Sequence, residues 1–544
     1  MKQFTGWFGA IKALQPRMLS AGFCVDVVNM RPGRGDLRPW NTKLDVATLP
    51  AGRVSFYRMG RDLASDTNYW LSSTVDVDYA RSMLANDPTE RTYYTGQSEP
   101  RVTDNILALA GAPYPTSYRI LGIPAPITPM AAAITTVGVA ADSEDRYYVD
   151  IFISDQDEKG PPGVPTARLT CKTDAEITLT SLSAAPAGAY GITLRGIYRT
   201  RVATDGTADF FLIAKVPATD TTFVDTGAAD GEILESDGGG VGLAWDPPPS
   251  GLRGIIGLWN GMMGGFVGKS VRVCWPYKPH AWPALYEAVT QSQVVATGTF
   301  GTTWVVLTTD KPYALSGSSP GSLVASMDPI KAGHSCISKR SVVSFKHGVV
   351  WASPRGLAYM GANGPTLLTE KLFLEEDWKA LNPASMIGCQ FEGLYFGFYT
   401  VGGVKKGFII NPLTPAAVIF LDSGADAAWF DPVSESMYVL NGTAIQKWNA
   451  GDSLMTASAT SRVDHDQAAE NFGVAQVLAD AYPVTLAIYG DYGVLRCTVT
   501  AISKEPVTLP GGFDDEDHQV KVTSAVGGVQ AVILADDYDE LGRA

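Results

Sequence analysis

Ser292–Leu315 reads SQVVATGTFGTTWVVLTTDKPYAL, and Arg340–Met360 reads RSVVSFKHGVVWASPRGLAYM. Each is a series of short β-branched and aromatic runs broken at Phe-Gly, Asp-Lys-Pro, Lys-His-Gly or Pro-Arg-Gly. Val, Ile, Thr, Trp and Tyr suit a pleated, half-buried surface, and Gly or Pro between them supplies tight turns, so both segments predict strands joined by hairpins. The same rhythm continues in CQFEGLYFGFYT, GFIINPL, AVIFLD and AAWFDPVSESMYVL. Strand pairs recurring at about 40 to 50 residues are the mark of propeller blades. The repeat is too weak to give a blade count.

Working outward from this core, residues 247–450 read as one part of a β-propeller and residues 51–129 as its first part, with runs VSFYRM, NYWL, STVDVDYA and RTYYTG. Between them, residues 130–246 form a self-contained pattern, including DRYYVDIFIS, ITLRGIYRTR and DFFLIAKV, that predicts an inserted sandwich of the fibronectin III kind. GIPAPITP (Gly122–Pro129) and DPPPSG (Asp246–Gly251) flank it as stiff proline linkers. Residues 451–544 alternate apolar and polar positions and predict a C-terminal β-sandwich. Residues 1–50, punctuated by Pro16, Pro32, Pro39 and Pro50, predict an irregular extended arm that wraps over other elements. One helix is expected at LFLEEDWKAL (Leu372–Leu381), where apolar spacing turns helical. The fold class expected is therefore all-β.

Length and composition agree with several folded units: 544 residues, 45% hydrophobic and 18% charged, leave ample apolar material and little for long disordered tracts. No run approaches the 18 or so apolar residues of a membrane helix, and the N-terminal patch is broken by Gly9, Lys12 and Pro16, so neither a span nor a secretory signal is expected. The six cysteines lie far apart without a Cys-x-x-Cys pair, which suits reduced thiols buried in a cytoplasmically made chain.

Charge is unevenly placed within the net of −14. Residues 1–60 carry nine Lys/Arg against three Asp/Glu, and residues 451–544 carry five against fifteen. An acidic chain is poorly suited to gripping DNA, because that affinity comes from cations that release counterions.

Motifs that could carry chemistry do not complete their patterns. MGGFVGKS (Met263–Ser270) has Met263 where a phosphate-binding loop needs Gly, and VRVCWP after it reads as strand, so its glycines serve a hairpin. Arg34-Gly35-Asp36 matches an adhesion tripeptide inside a turn-rich arm that needs such residues anyway. Glu375-Glu376 and Asp514-Asp515 are adjacent rather than convergent, as a glycosidase pair must be, and read as solvated loop acids. FGTTW (Phe300–Trp304) is like the end of a sialidase Asp-box without its Asp. His280, His334, His347, His465 and His518 lack the i, i+4 spacing of a helical metal pair, and no Gly-x-Ser-x-Gly elbow occurs. No catalytic, cofactor-binding or metal-ligating residue is expected.

The ordered motifs resemble the nozzle, or tail tubular B-type, proteins of podophages, and more distantly phage stabilisation proteins. GDLRPW (Gly35–Trp40), RTYYTGQSEPRVTD (Arg91–Asp104) and YRILGIPAPITP (Tyr118–Pro129) are similar to the opening part of that family. GIYRT (Gly196–Thr200) and FVDT (Phe223–Thr226) resemble its inserted domain. WNGMMGGFVG (Trp259–Gly268), YKPHAWP (Tyr277–Pro283), KPYALSG (Lys311–Gly317), CISKRSVV (Cys336–Val343) and VVWASPRGLAYM (Val349–Met360) resemble its propeller core.

The resemblance implies a non-enzymatic structural virion protein: a homohexameric ring in the bacteriophage tail, assembled in the host cytoplasm. The ring would dock on the portal adaptor, contact tail fibres or spikes, and pass genomic DNA during ejection without sequence-specific grip. Its channel-lining and interface residues stay unassigned. The rival expectations are a propeller that binds or cleaves host glycans, and a tail plug that closes the channel. On the nozzle reading, the basic arm would meet an acidic face of a neighbouring protomer or of the adaptor.

Overall fold

In the computed structural model, residues 1–60, 65–84, 87–202, 208–234, 245–331 and 333–541 are described. The chain is almost entirely β and is built on a β-propeller with an inserted sandwich and a C-terminal sandwich. Among the described residues, seven sheets follow one another around one axis. Blade I is a two-stranded hairpin, Ser55–Arg58 with Trp70–Ser73. Blades II to VI are four-stranded meanders whose innermost strands are Asp78–Arg81, Arg253–Gly257, Val294–Phe300, Val343–Phe345 and Ile387–Phe391. Blade VII begins at Ala427–Asp431 and ends on a strand from the other end of the chain, Leu44–Thr48, which pairs antiparallel with Ala444–Lys447.

Successive inner strands touch from blade II round to blade VII and on to blade I. Between blades I and II, Ser55 Oγ donates to the Val75 carbonyl (2.8 Å) and accepts from the Val77 N–H (3.3 Å). The N-terminal strand of blade VII closes the ring: its ladder of main-chain hydrogen bonds joins the start of the propeller to the end and covers the edge of Ala444–Lys447. The expected helix is present as Glu375–Ala380, with Trp378 buried beneath it. MGGFVGKS forms the hairpin Met263–Val267 and Ser270–Val273, with Gly268 in the left-handed region at its tip.

The arm is not irregular. Lys2–Thr5 pairs with Val529–Ala535 in one sheet of the C-terminal sandwich. Phe23–Val28 lies between Ala457–Ser461 of the other sheet and Ile419–Leu421 of blade VI, so propeller and sandwich share one continuous sheet. The prolines fall between these strands, where no ladder hydrogen bond is lost. Trp40 anchors the arm in an aromatic cluster with Phe391, Phe396 and Trp448 at centroid distances of 6.0 to 6.1 Å.

The inserted domain packs Ala131–Thr136, Glu176–Thr180 and Phe223–Asp225 against Tyr148–Ser154, Ile192–Val202 and Ala208–Pro217. Every residue of Tyr148–Ser154 is buried. Tyr148 faces the insert's own core, while Val149, Ile151 and Ile153 pack with Trp245 and Ala281 near the linker and blade III. A strand covered on both faces must be largely apolar, which explains the run YVDIFI. At the entry linker, Gly122 lies at φ +90° against the exit linker; a Cβ there would come within 2.5 Å of Pro248.

Glu158 enters the junction from the insert, with Arg91 Nη1 and His280 Nδ1 each 3.7 Å from its Oε1. Burial pushes the Glu158 carboxyl up to about 7, and burial with nearby Lys278 and Arg91 pushes His280 down to about 4. The two titrations oppose each other. Glu158 holds more protons folded than unfolded, so its contribution to stability is lost as pH rises from about 4.5 to 7. His280 holds fewer, so its contribution is lost as pH falls from about 6.5 to 4. Relative to wild type, Glu158→Gln is expected to shift the slope of stability against pH upward between about 4.5 and 7, and His280→Gln to shift it downward between about 4 and 6.5. Each slope amounts to about 3 kcal/mol at most, read from urea midpoints between pH 4 and 8.

Candidate functional site

The propeller axis is the first place where converging loops could form a site. Lys339 and Arg340 lie on a single 3-10 turn, Lys339–Ser341, just before the inner strand of blade V. Lys339 Nζ reaches across to blade II and pairs with Asp76 Oδ2 (3.0 Å) and Asp78 Oδ2 (2.8 Å). Asp78 also accepts from the Gly254 N–H of blade III at 2.9 Å. Arg340 Nη2 donates to the Val54 carbonyl (2.8 Å) and the Asp426 carbonyl (2.6 Å), reaching blades I and VII. Two adjacent cations thus tie blade V to blades I, II and VII, and through Asp78 to blade III.

Beside this strut lies a cavity of about 220 Å³, lined by Ser55, Phe56, Tyr79, Ile387 and Trp429. Burial raises the Asp78 carboxyl above its ordinary value, although Lys339 opposes the rise. Burial works against the Lys339 ammonium, but Asp78 and Asp76 more than offset it, and its pKa lies above the usual lysine value. A charged lysine held between two carboxylates is a brace: it has no lone pair for nucleophilic attack, and it occupies the acids that would otherwise serve as proton donors. Lys339→Met leaves Asp76 and Asp78 facing each other without their cation, and is expected to cost about 1–3 kcal/mol in a urea titration.

Among the lining residues of that cavity, Asp76 and Asp78 are the carboxylates, and neither belongs to a pair singled out in the sequence. Glu375 and Glu376 open a surface helix, where Glu375 pairs with Lys379 at 2.7 Å. Trp304 of FGTTW is fully buried against Gly264 and belongs to the core of blades III and IV. All six cysteines are free and buried.

The acidic run at Asp514 does not form a loop as expected. Asp515–Ser524 is a strand, and alternation turns Asp515 and Asp517 to one face. Asp515 takes a two-point contact from Arg496 (2.9 and 2.5 Å), and Asp517 pairs with Arg17 and with His465 Nδ1 (2.9 Å). The basic arm also finds its acids within the chain. The N-terminal ammonium meets Glu540 at 2.6 Å, and Lys2 sits against Asp466 and 3.3 Å from Asp464. Several of the arm's charges thus pair in cis, because Lys2–Thr5 and Phe23–Val28 are strands of the acidic sandwich.

At this junction the strand Asp464–Glu470 runs antiparallel to the start of Asp515–Ser524, with a register break between His465 and Glu470. The pairing brings Asp466, Glu470 and His518 together, with one ligand atom from each within 4.8 Å of the others. The histidine spacing in sequence gave no sign of this group, because its members come from opposite strands.

No protein-family model matches the chain, and no curated protein does. Solved structures similar to it include propeller and WD40 domains. A Dos1 propeller matches at 10% identity and TM-score 0.28, over 76% of this chain and 95% of that one. The Neurospora crassa Pan2 WD40 domain matches at 7% identity and TM-score 0.26, over 51% of this chain and 86% of that one. Citrobacter koseri AztD matches at 12% identity and TM-score 0.25, over 71% and 99%. At such scores these likenesses bear no weight; the fold rests on the sheet topology described above.

Proposed function

We propose that this chain is a structural virion protein that forms the ring-shaped nozzle of a short phage tail. The observation that carries the reading is where the family-like motifs fall in the fold. Trp40 of GDLRPW anchors the arm, Lys339 and Arg340 of CISKRSVV brace the propeller axis, and Arg199 of GIYRT bonds Asp225 of FVDT inside the insert. Segments that resemble the family thus supply joints of this particular architecture, which is what a shared design predicts.

With the axis of each propeller crossed by the Lys339 brace, DNA would travel through a lumen between protomers. The chain's net negative charge supports passage without grip, since acidic walls repel phosphates. The ring would be homohexameric, seated on the portal adaptor and bearing fibres or spikes at its side. It acts by assembly and performs no catalysis.

Negative-stain electron microscopy of the purified chain tests this: six-fold rings with an open centre are expected. Rings with a closed centre would favour a tail plug. Persistent monomers that bind purified surface polysaccharide would replace the nozzle reading with a glycan-directed one.

A further inference from the structure

We propose that Asp466, Glu470 and His518 form a binding site for a zinc-class divalent cation, which displaces the Lys2 ammonium on entry. His518 is 1% exposed, and its Nε2 makes no hydrogen bond although it is buried. That nitrogen points into the group, 3.5 Å from Asp466 Oδ2, a buried oxygen that the Lys2 ammonium also approaches. The ring of Phe472 meets the imidazole edge to face at 4.8 Å and limits its rotation. A buried imidazole nitrogen facing two carboxylates lacks a partner that a metal ion would supply.

The donor set selects the ion. One nitrogen and two carboxylates fit Zn²⁺, whose fourth position water can fill, whereas Ca²⁺ takes six to eight oxygens. Ligand atoms now up to 4.8 Å apart would draw in to roughly 3.5 Å around a tetrahedral zinc ion. The register break between His465 and Glu470 leaves Asp466 outside the paired ladder with Asp515–Ser524. Lys2 already places one positive charge against Asp466 from the end of the first strand, so the site attracts cations in the fold as it stands. Zinc would exchange that single charge for a double one and release the Lys2 side chain. His465 lies on the same strand but pairs with Asp517, outside the group.

Isothermal titration of the full-length chain with ZnCl₂ tests the proposal. One zinc per chain is expected for the wild type, binding about tenfold tighter in Lys2→Met, which removes the competing cation. Asp466→Asn and His518→Gln should each lose stoichiometric binding, while His465→Ala keeps it. If the His518 variant does not fold, Co²⁺ added to the wild type decides, because a coordinated imidazole gives paramagnetically shifted ring signals. Absence of those signals, absence of binding in both wild type and Lys2→Met, or binding that survives Asp466→Asn would overturn the site.

Discussion

Removal of residues 1–50 is expected to leave a chain that does not fold, rather than a folded protomer unable to assemble. The deletion takes away four strands at once: Lys2–Thr5 from one sandwich sheet, Phe23–Val28 with its short neighbour Gly9–Ala10 from the sheet that joins sandwich to propeller, and Leu44–Thr48 from blade VII. Each loss exposes the backbone edge of its former partner. It also removes Phe4, Trp7, Val27, Met30, Leu37 and Trp40 from a core that includes Phe396, Trp448 and Val532. Trp40→Ala alone should cost about 3–5 kcal/mol, a large share of the stability of a typical domain. Insoluble expression of the truncated chain, or loss of its cooperative thermal transition, is the expected readout. A soluble truncation with a wild-type melting curve would show that the arm is dispensable to the protomer.

Asp225→Ala should be the most damaging single charge removal in the insert. Asp225 is wholly buried and accepts from Arg199 Nη1 at 3.1 and 2.9 Å and from Tyr148 Oη at 2.9 Å, with Arg146 Nη1 3.7 Å away. Without its carboxylate, two largely buried guanidinium groups face each other across a vacated polar site. Losing one partner of a buried ion pair costs about 3–5 kcal/mol, mostly because the remaining charge stays desolvated. Limited proteolysis is expected to cut residues 130–246 at a lower urea concentration than in the wild type, with the propeller core cut later. Unchanged protection of the insert would mean that Asp230, which also accepts from Arg199 at 2.8 Å, is sufficient to hold the guanidinium without Asp225.

Local features of this chain were readable because they depend on neighbouring residues. Alternating β-branched and aromatic positions marked the strands of blades IV and V, and Gly268 marked a hairpin tip. Proline-rich linkers marked the two ends of the insert, and the spacing around Trp378 marked the helix. The candidate site was not readable in the same way. Asp76, Asp78 and Lys339 sit in unremarkable stretches far apart in the chain, and Asp466 and Glu470 resemble ordinary strand-surface acids until His518 is placed opposite them.

By itself, then, the sequence determined an all-β chain with a repeating propeller rhythm, an insertion between proline linkers and opposite charge at its two ends. Those properties follow from backbone sterics and side-chain period, which act over a few residues. Only the tertiary structure decided that the described residues form seven blades, that Leu44–Thr48 closes the ring, and that the basic arm is woven into the acidic sandwich. The last two outcomes pair residues hundreds of positions apart, and the blade count depends on how many sheets the closed ring holds. Which strand edges meet is set by the burial of whole sheets, and no local period encodes it.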